Sequence, residues 1–164
     1  MNRTHTVIDS PIGDLTLVGD DDGLVALYMV QQRHRPGPET FGEPDATAFD
    51  AVREQLGEYF EGTRTDFDLP LSLHGTPFQL TVWHELLKIP YGETISYGEL
   101  AARLGNPSAS RAVGLANGKN PVSIVVPCHR VVGSKGDLTG YGGGIERKQH
   151  LLGFERKVSA VTLF

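Results

Sequence analysis

The sequence holds a single cysteine, so an internal disulfide is excluded, and the CxxC and CxxH spacings of zinc sites are absent. Its histidines (His5, His34, His74, His84, His129 and His150) are scattered, with no HExxH pair. No metal site and no cofactor is therefore expected. No run approaches the roughly 20 apolar residues that a membrane helix needs. The start, Met1-Asn2-Arg3-Thr4-His5, leads into alternation and not into a long apolar core, so no signal peptide is expected and the chain reads as cytoplasmic. Internal repeats and low-complexity tracts are missing too. What is present, 164 residues with 39% hydrophobic, fits a soluble chain of one medium domain or two small ones sharing an interface.

The net charge of -5 argues, taken alone, against a nucleic-acid partner. Its distribution argues the other way. Residues 88–164 carry ten Lys/Arg against five Asp/Glu, and residues 1–87 carry five against fifteen. A basic half and an acidic half suggest that one face meets a polyanion and the other does not.

The acidic half reads as an antiparallel meander followed by a helix. Alternating or apolar runs at 4–9, 15–18 and 24–29 are separated by turn signals, Asp22-Gly23 among them. Residues 31–45 are polar and rich in Pro and Gly, so they read as a loop. Phe49, Val52, Leu56, Tyr59 and Phe60 recur at helical spacing over 46–61, and Gly62 closes the pattern. Residues 66–71 read as a returning strand. Nothing in this half points to chemistry; Asp20-Asp21-Asp22 reads as a solvated turn.

The basic half reads as helical. Thr76-Pro77-Phe78-Gln79 is a capping box with proline at the first helical position. Phe78, Val82, Trp83, Leu86 and Leu87 form its apolar face, and Pro90 ends it. Ser96-Tyr97-Gly98-Glu99 is a second capping box, opening a helix through Leu104 that stops at Gly105. Asn106-Pro107-Ser108 starts a third, running to about Asn117 and ending at Gly118. Two short helices joined by a tight turn make a helix-turn-helix candidate.

The stretch from Asn120 to Gly133 carries the chemistry. An apolar strand, broken by Pro127, delivers Cys128, followed directly by His129 and Arg130. A buried lone cysteine is by default a small hydrophobe. Here a base and a cation adjoin it, and cationic neighbours are expected to lower the thiol pKa. Adjacent residues on a regular strand face opposite ways. Cys128 and His129 can therefore cooperate only if the backbone turns or a water bridges them.

Pro127-Cys128-His129-Arg130-Val131 resembles the active-site motif of the O6-alkylguanine-DNA alkyltransferases. Further segments match that family in order and spacing: Pro90-Tyr91-Gly92-Glu93-Thr94 with Ser96-Tyr97-Gly98, Arg111-Ala112-Val113-Gly114, Asn120-Pro121, Gly140-Tyr141-Gly142-Gly143-Gly144, and Leu151-Leu152-Gly153-Phe154-Glu155. The match is strong over residues 76–157 and looser over the meander. It implies an α+β fold: an N-terminal ribonuclease H-like unit (1–72), a small antiparallel sheet with a helix, packed on a mainly helical C-terminal unit (76–157).

The resemblance also implies roles. Cys128 would accept the alkyl group, His129 would take its proton through a water, and Glu155 would hold the imidazole. Asn120 would tie the cysteine segment to the helix pair. Arg111 would enter the duplex in place of an extruded base, with Ser110, Ala112, Gly114, Asn117 and Ser134 beside it on DNA. Ala109, Ala112, Gly114 and Ala116 are small enough for close approach to the minor groove, which discriminates base pairs poorly. Tyr97 would crowd the target phosphate and reach the guanine ring. Tyr141, Gly142, Val131 and Lys148 would line the alkyl pocket, the carbonyls of Cys128 and Val131 accepting from the guanine amino group. The family often has serine where Gly142 stands. Arg130 and Trp83 read as structural. The metal that some family members carry near the N-terminus is not expected, since no cysteine lies there, nor is a fused regulatory domain.

The activity implied is a single irreversible transfer from O6-alkylguanine, or O4-alkylthymine, in double-stranded DNA to Cys128, by a protein monomeric when free. The rivals are a thiol hydrolase, which would turn over repeatedly, and a non-catalytic alkylated-DNA-binding protein, which would lack the acceptor thiol. A sequence-specific regulator is a third; it would dimerise and place polar readers on its second helix.

Overall fold

The computed structural model describes residues 2–30, 32, 35–136 and 144–162, the side chains of 161 and 162 excepted. Alternation and the turn residues build a meander of β1 (Thr4–Ile8), β2 (Leu15–Asp20) and β3 (Gly23–Met29). Asp20 pairs with Gly23 across the second turn. Gly23 has φ +144, and a Cβ there would collide with the Pro70 carbonyl. The sheet is mixed where an antiparallel one was expected. A short strand β4 (Glu43–Pro44), inside the segment read as loop, pairs parallel with β1, and the order is β3-β2-β1-β4.

Strands β2 and β3 are buried on both faces. Leu15, Leu17, Leu27 and Met29 face the main core, whereas Val18, Ala26 and Tyr28 pack under Phe41 on the other side. Helix α1 (Asp50–Glu61) follows a 3-10 turn over Ala46–Phe49 and ends on Gly62, whose left-handed φ of 81° caps it. Val52, Leu56 and Tyr59 lie on its buried face.

The expected strand at 66–71 is absent. That segment pairs with β3 only at an isolated bridge, Leu24 to Leu71. Elsewhere its backbone is bonded by a side chain: the Gln55 amide accepts from Asp68 N and donates to Asp68 O, both at 2.9 Å. A side chain that satisfies both groups of one residue replaces the ladder.

In the second half, α2 (Pro77–Leu86) opens on the full capping box, Thr76 and Gln79 bonding reciprocally. Helix α3 (Tyr97–Arg103) opens on half of one, Ser96 Oγ accepting from Glu99 N at 3.0 Å. After Gly105 and a 3-10 turn over Pro107–Ala109 comes α4 (Ser110–Gly118). Two-residue strands β5 (Ile95–Ser96) and β6 (Val131–Val132) pair in parallel, and α5 (Ile145–Thr162) is the last of the described elements. One hydrophobic core runs from Leu15 and Tyr59 through Trp83, Leu100 and Val113 to Leu151. Among the described residues no helix is long and apolar enough to cross a membrane.

Candidate active site

The apolar segment before the cysteine is a buried turn where a strand was expected. Its residues Val122–Val126 are all buried. Leu27 N donates to Pro121 O at 2.9 Å and Ser123 N to Leu27 O at 3.3 Å, so the segment hangs on the free edge of β3. It then bends. Ile124 has φ +73, a conformation costly for a β-branched residue, and a second polar side chain secures the bend. Asn120 Nδ2 donates to Val126 O at 2.8 Å, and Asn120 Oδ1 accepts from Val122 N at 3.0 Å.

Pro127 then caps a 3-10 turn over Cys128–Arg130. The backbone therefore turns at Cys128 and His129, which is one of the two conditions their cooperation requires. All three residues of the turn are buried. Asn117 Nδ2 donates to the Cys128 carbonyl at 3.3 Å, and β6 follows at once, pairing with β5 just before Tyr97. The cysteine turn is thereby fixed to the helix pair on two sides.

Helix α5 supplies the charges. Lys148, Leu151, Leu152 and Glu155 form its buried face at spacings of three, one and three residues. Lys148 and Glu155 lie two turns apart, about 10 Å along the axis. Glu155 is fully buried and accepts from four residues. His129 Nε2 lies 2.7 Å from Oε2, and Arg130 reaches Oε1 through Nε at 2.9 Å and Oε2 through Nη2 at 3.1 Å. Gly92 N donates to Oε1 at 3.1 Å and Tyr59 Oη to Oε2 at 2.7 Å. Burial works against the charged carboxylate, yet His129 and Arg130 outweigh it and hold the Glu155 pKa well below the usual range. Burial pushes the His129 pKa down, against the pull of Glu155.

The thiol behaves otherwise than expected. Burial raises the Cys128 pKa to about 11, against the smaller opposing effects of the Asn120 amide and Lys148. Arg130 does not help, because its guanidinium is committed to Glu155, to Ile89 O at 2.8 Å and to the Tyr91 ring. Lys148 is the cation that favours the thiolate. It is buried, its Nζ lies 5.8 Å from the centre of the Tyr97 ring, and burial lowers its own pKa to about 8.

Two family profiles cover nearly the whole chain: "6-O-methylguanine DNA methyltransferase, ribonuclease-like domain" over residues 4–73, and "6-O-methylguanine DNA methyltransferase, DNA binding domain" over 77–157. The chain belongs to the 6-O-methylguanine DNA methyltransferase family. A methylated-DNA–protein-cysteine methyltransferase of Mycolicibacterium paratuberculosis is 55% identical over 97% of this chain and 96% of its own length. One from Methanosarcina acetivorans is 47% identical over 92% and 97%. The crystal structure of Mycobacterium tuberculosis OGT in complex with DNA is 53% identical, covers 98% of this chain and 99% of that one, and has a TM-score of 0.91.

Within this methyltransferase-family chain the structure gathers Cys128, His129, Glu155, Asn120, Lys148 and Tyr97 around one turn. Val131 is fully buried in its pairing with Ile95. Arg111 and Ala112 are exposed on α4, Ser110 and Gly114 are half-buried, and Gly114 faces the Tyr97 ring. Ser134 is exposed beyond β6. Asn117 departs from its expected place on DNA. It is 1% exposed and its amide is turned inward to the cysteine turn, because its position on α4 puts it on the buried side with Val113 and Ala116. Tyr141 and Gly142 lie outside the described residues. Sequence reasoning missed Tyr59, Gly92 and the pairing of Arg130 with Glu155. Tyr59 carried a signal only as one of five apolar positions on a helix face.

Proposed function

We propose that this chain repairs alkylated DNA by moving an alkyl group from guanine O6, or thymine O4, onto Cys128, once per molecule. One observation carries the reading: in a chain of this family, a buried thiol adjoins a histidine whose Nε2 is held by a buried carboxylate. With Glu155 ionised, Nε2 carries the proton donated to it, and Nδ1 keeps its lone pair. Nδ1 is buried and has no hydrogen-bond partner among the described residues. A thiol with a pKa of about 11 is protonated at neutral pH, so it needs such a base when it reacts.

The proton passes from Sγ through a water to His129 Nδ1. The thiolate attacks the alkyl carbon in line, the carbon–O6 bond breaks, and its electron pair leaves with guanine. The thiol loses one proton and guanine regains one at N1, so no co-reactant is required. A thioether remains. It offers no leaving group comparable to that of an acyl thioester, and the protein is consumed.

The same reading gives residues 76–157 the DNA and the acceptor, with residues 1–72 packed against them. Helix α4 approaches the minor groove with Arg111, Ala112 and Leu115 on its exposed side, where Leu115 is 65% exposed and apolar enough to lie against sugars. Ser110, Gly114 and Ser134 lie at the margins of that contact. The target base leaves the stack at a cost of a few kcal/mol. Arg111 fills the gap, while Tyr97, backed by Lys148, turns the nucleotide toward Cys128. The test is guanine release from free O6-benzylguanine, followed by chromatography. One guanine per protein is expected from the wild type and none from Cys128→Ser, which still binds DNA. Continued release would identify a thiol hydrolase, and no release from either would identify a non-catalytic binder.

A further inference from the structure

We propose that Tyr59, on α1 in the N-terminal half, is a positioning residue for the transfer reaction, fixing through Glu155 the orientation and basicity of His129. The proposal rests on the transfer reading above. Tyr59 is fully buried, and its hydroxyl donates at 2.7 Å to Oε2 of Glu155, the same oxygen that His129 Nε2 reaches at 2.7 Å. The two donors share this oxygen with Arg130 Nη2, which lies farther from it at 3.1 Å. A donor on a carboxylate oxygen disperses its charge, which weakens its pull on a proton held by a neighbour. Tyr59 keeps its own proton, because burial and the adjacent Glu155 both raise its pKa far above the usual tyrosine value. It is a fixed donor across the working pH range.

The ring that carries this hydroxyl is enclosed by aromatic side chains. The Tyr59 ring is held among Phe60, Phe67, Tyr91 and Phe154, all with centroids within 6.1 Å. Helix α1 thus delivers one polar atom through an aromatic box onto the relay. The titratable and charged groups around Glu155 and His129 are Arg130 and Cys128 on the same turn, Lys148 on α5, Tyr91 on the loop after α2, and Tyr59 itself. Among the described residues, Tyr59 alone of these comes from the N-terminal half, so that half must be docked for its hydroxyl to reach Glu155.

The expected consequence has a sign. Neutral His129 accepts the thiol proton, and protonated His129 cannot. Without the Tyr59 hydroxyl, Glu155 holds the imidazolium more strongly and the His129 pKa rises. The acid limb of the rate profile then moves to higher pH. The experiment compares the wild type, Tyr59→Phe, and the chain carrying 3,5-difluorotyrosine at position 59, a stronger donor. Single-turnover transfer from O6-benzylguanine is followed from pH 5 to 8, and the His129 imidazole is titrated by NMR without substrate. In Tyr59→Phe the limb and the imidazole titration should both shift upward by about half to one pH unit. The fluorinated chain should shift both downward. Superimposable imidazole titrations in all three proteins would overturn the proposal, as would a rate loss in Tyr59→Phe equal at every pH. Absence of transfer by the wild type would instead sink the transfer reading. The NMR titration would still decide whether Tyr59 tunes His129.

Discussion

Glu155 accepts hydrogen bonds from four residues on three segments: Tyr59 on α1, Gly92 in the loop after α2, and His129 and Arg130 on the cysteine turn. A buried charge so surrounded stabilises only while every partner is present. Removing the charge leaves Arg130 buried and uncompensated, at a cost of about 3–5 kcal/mol. Glu155→Gln should therefore unfold at lower urea at pH 7. The Glu155 pKa is held below its unfolded value, so its contribution is present above the ordinary carboxylate pKa of about 4.3 and is lost as pH falls through the folded value. The gap between variant and wild type should narrow in acid; a gap constant from pH 7 to 3 would place the effect in packing and not in charge. The family motif made Cys128, His129 and Glu155 legible in the sequence. The direction of Arg130 was not, because adjacency in the chain says nothing about which way a side chain turns once the backbone does. Tyr59 was hidden for a different reason: an apolar helix face predicts burial, and only the fold shows that one hydroxyl on that face meets a carboxylate 96 residues away.

Among the elements, α4 divides its faces between the interior and the solvent. Val113, Ala116 and Asn117 pack inward, and Trp83 Nε1 donates to Ala116 O at 2.9 Å, which fixes α4 against α2. Arg111 is left exposed. If it fills the stack vacated by the target base, Arg111→Ala should slow repair of O6-methylguanine in duplex DNA by about tenfold or more, a loss of about 1.4 kcal/mol. The same change should leave transfer from free O6-benzylguanine within about twofold, since no base is extruded there. Equal losses in the two assays would place Arg111 in some other role. Helices α1 to α4 were readable from their caps and apolar spacing, Thr76-Pro77 and Gly62 above all. The segments at 66–71 and 122–126 do not form the expected strands: polar and apolar residues alternate in the first, and β-branched, apolar composition marks burial in the second, but neither feature secures pairing. Part of their backbone bonding goes to side chains, Gln55 in one case and Asn120 in the other, and the rest of the second segment bonds largely within its own turn. The parallel strand β4 was missed because two residues give no period to read.

At the scale of the whole molecule, charge is segregated along the chain, and the basic surplus lies in the half that carries α4 and Cys128. Binding that neutralises phosphates releases counterions. The affinity for undamaged duplex should therefore fall linearly on a log–log plot against salt, with a slope of about -0.9 per phosphate contacted, and depend little on sequence. A flat plot, or marked preference for one sequence, would contradict a minor-groove approach by small residues. The proposed division of labour between the halves rests on this charge asymmetry and on the motifs. The reach of α1 into the relay was not legible in the sequence, because it depends on how the halves dock. The claim on which the rest depends is that Cys128 takes the alkyl group and keeps it. Intact-protein mass spectrometry after incubation with excess duplex containing O6-methylguanine, followed by peptide mapping, measures this directly. The account predicts a gain of one methyl mass and no more, confined to the peptide that carries Cys128, with one equivalent of duplex returned to unmodified guanine. An unchanged protein mass beside repaired DNA, or a methyl group on any other residue, would contradict it.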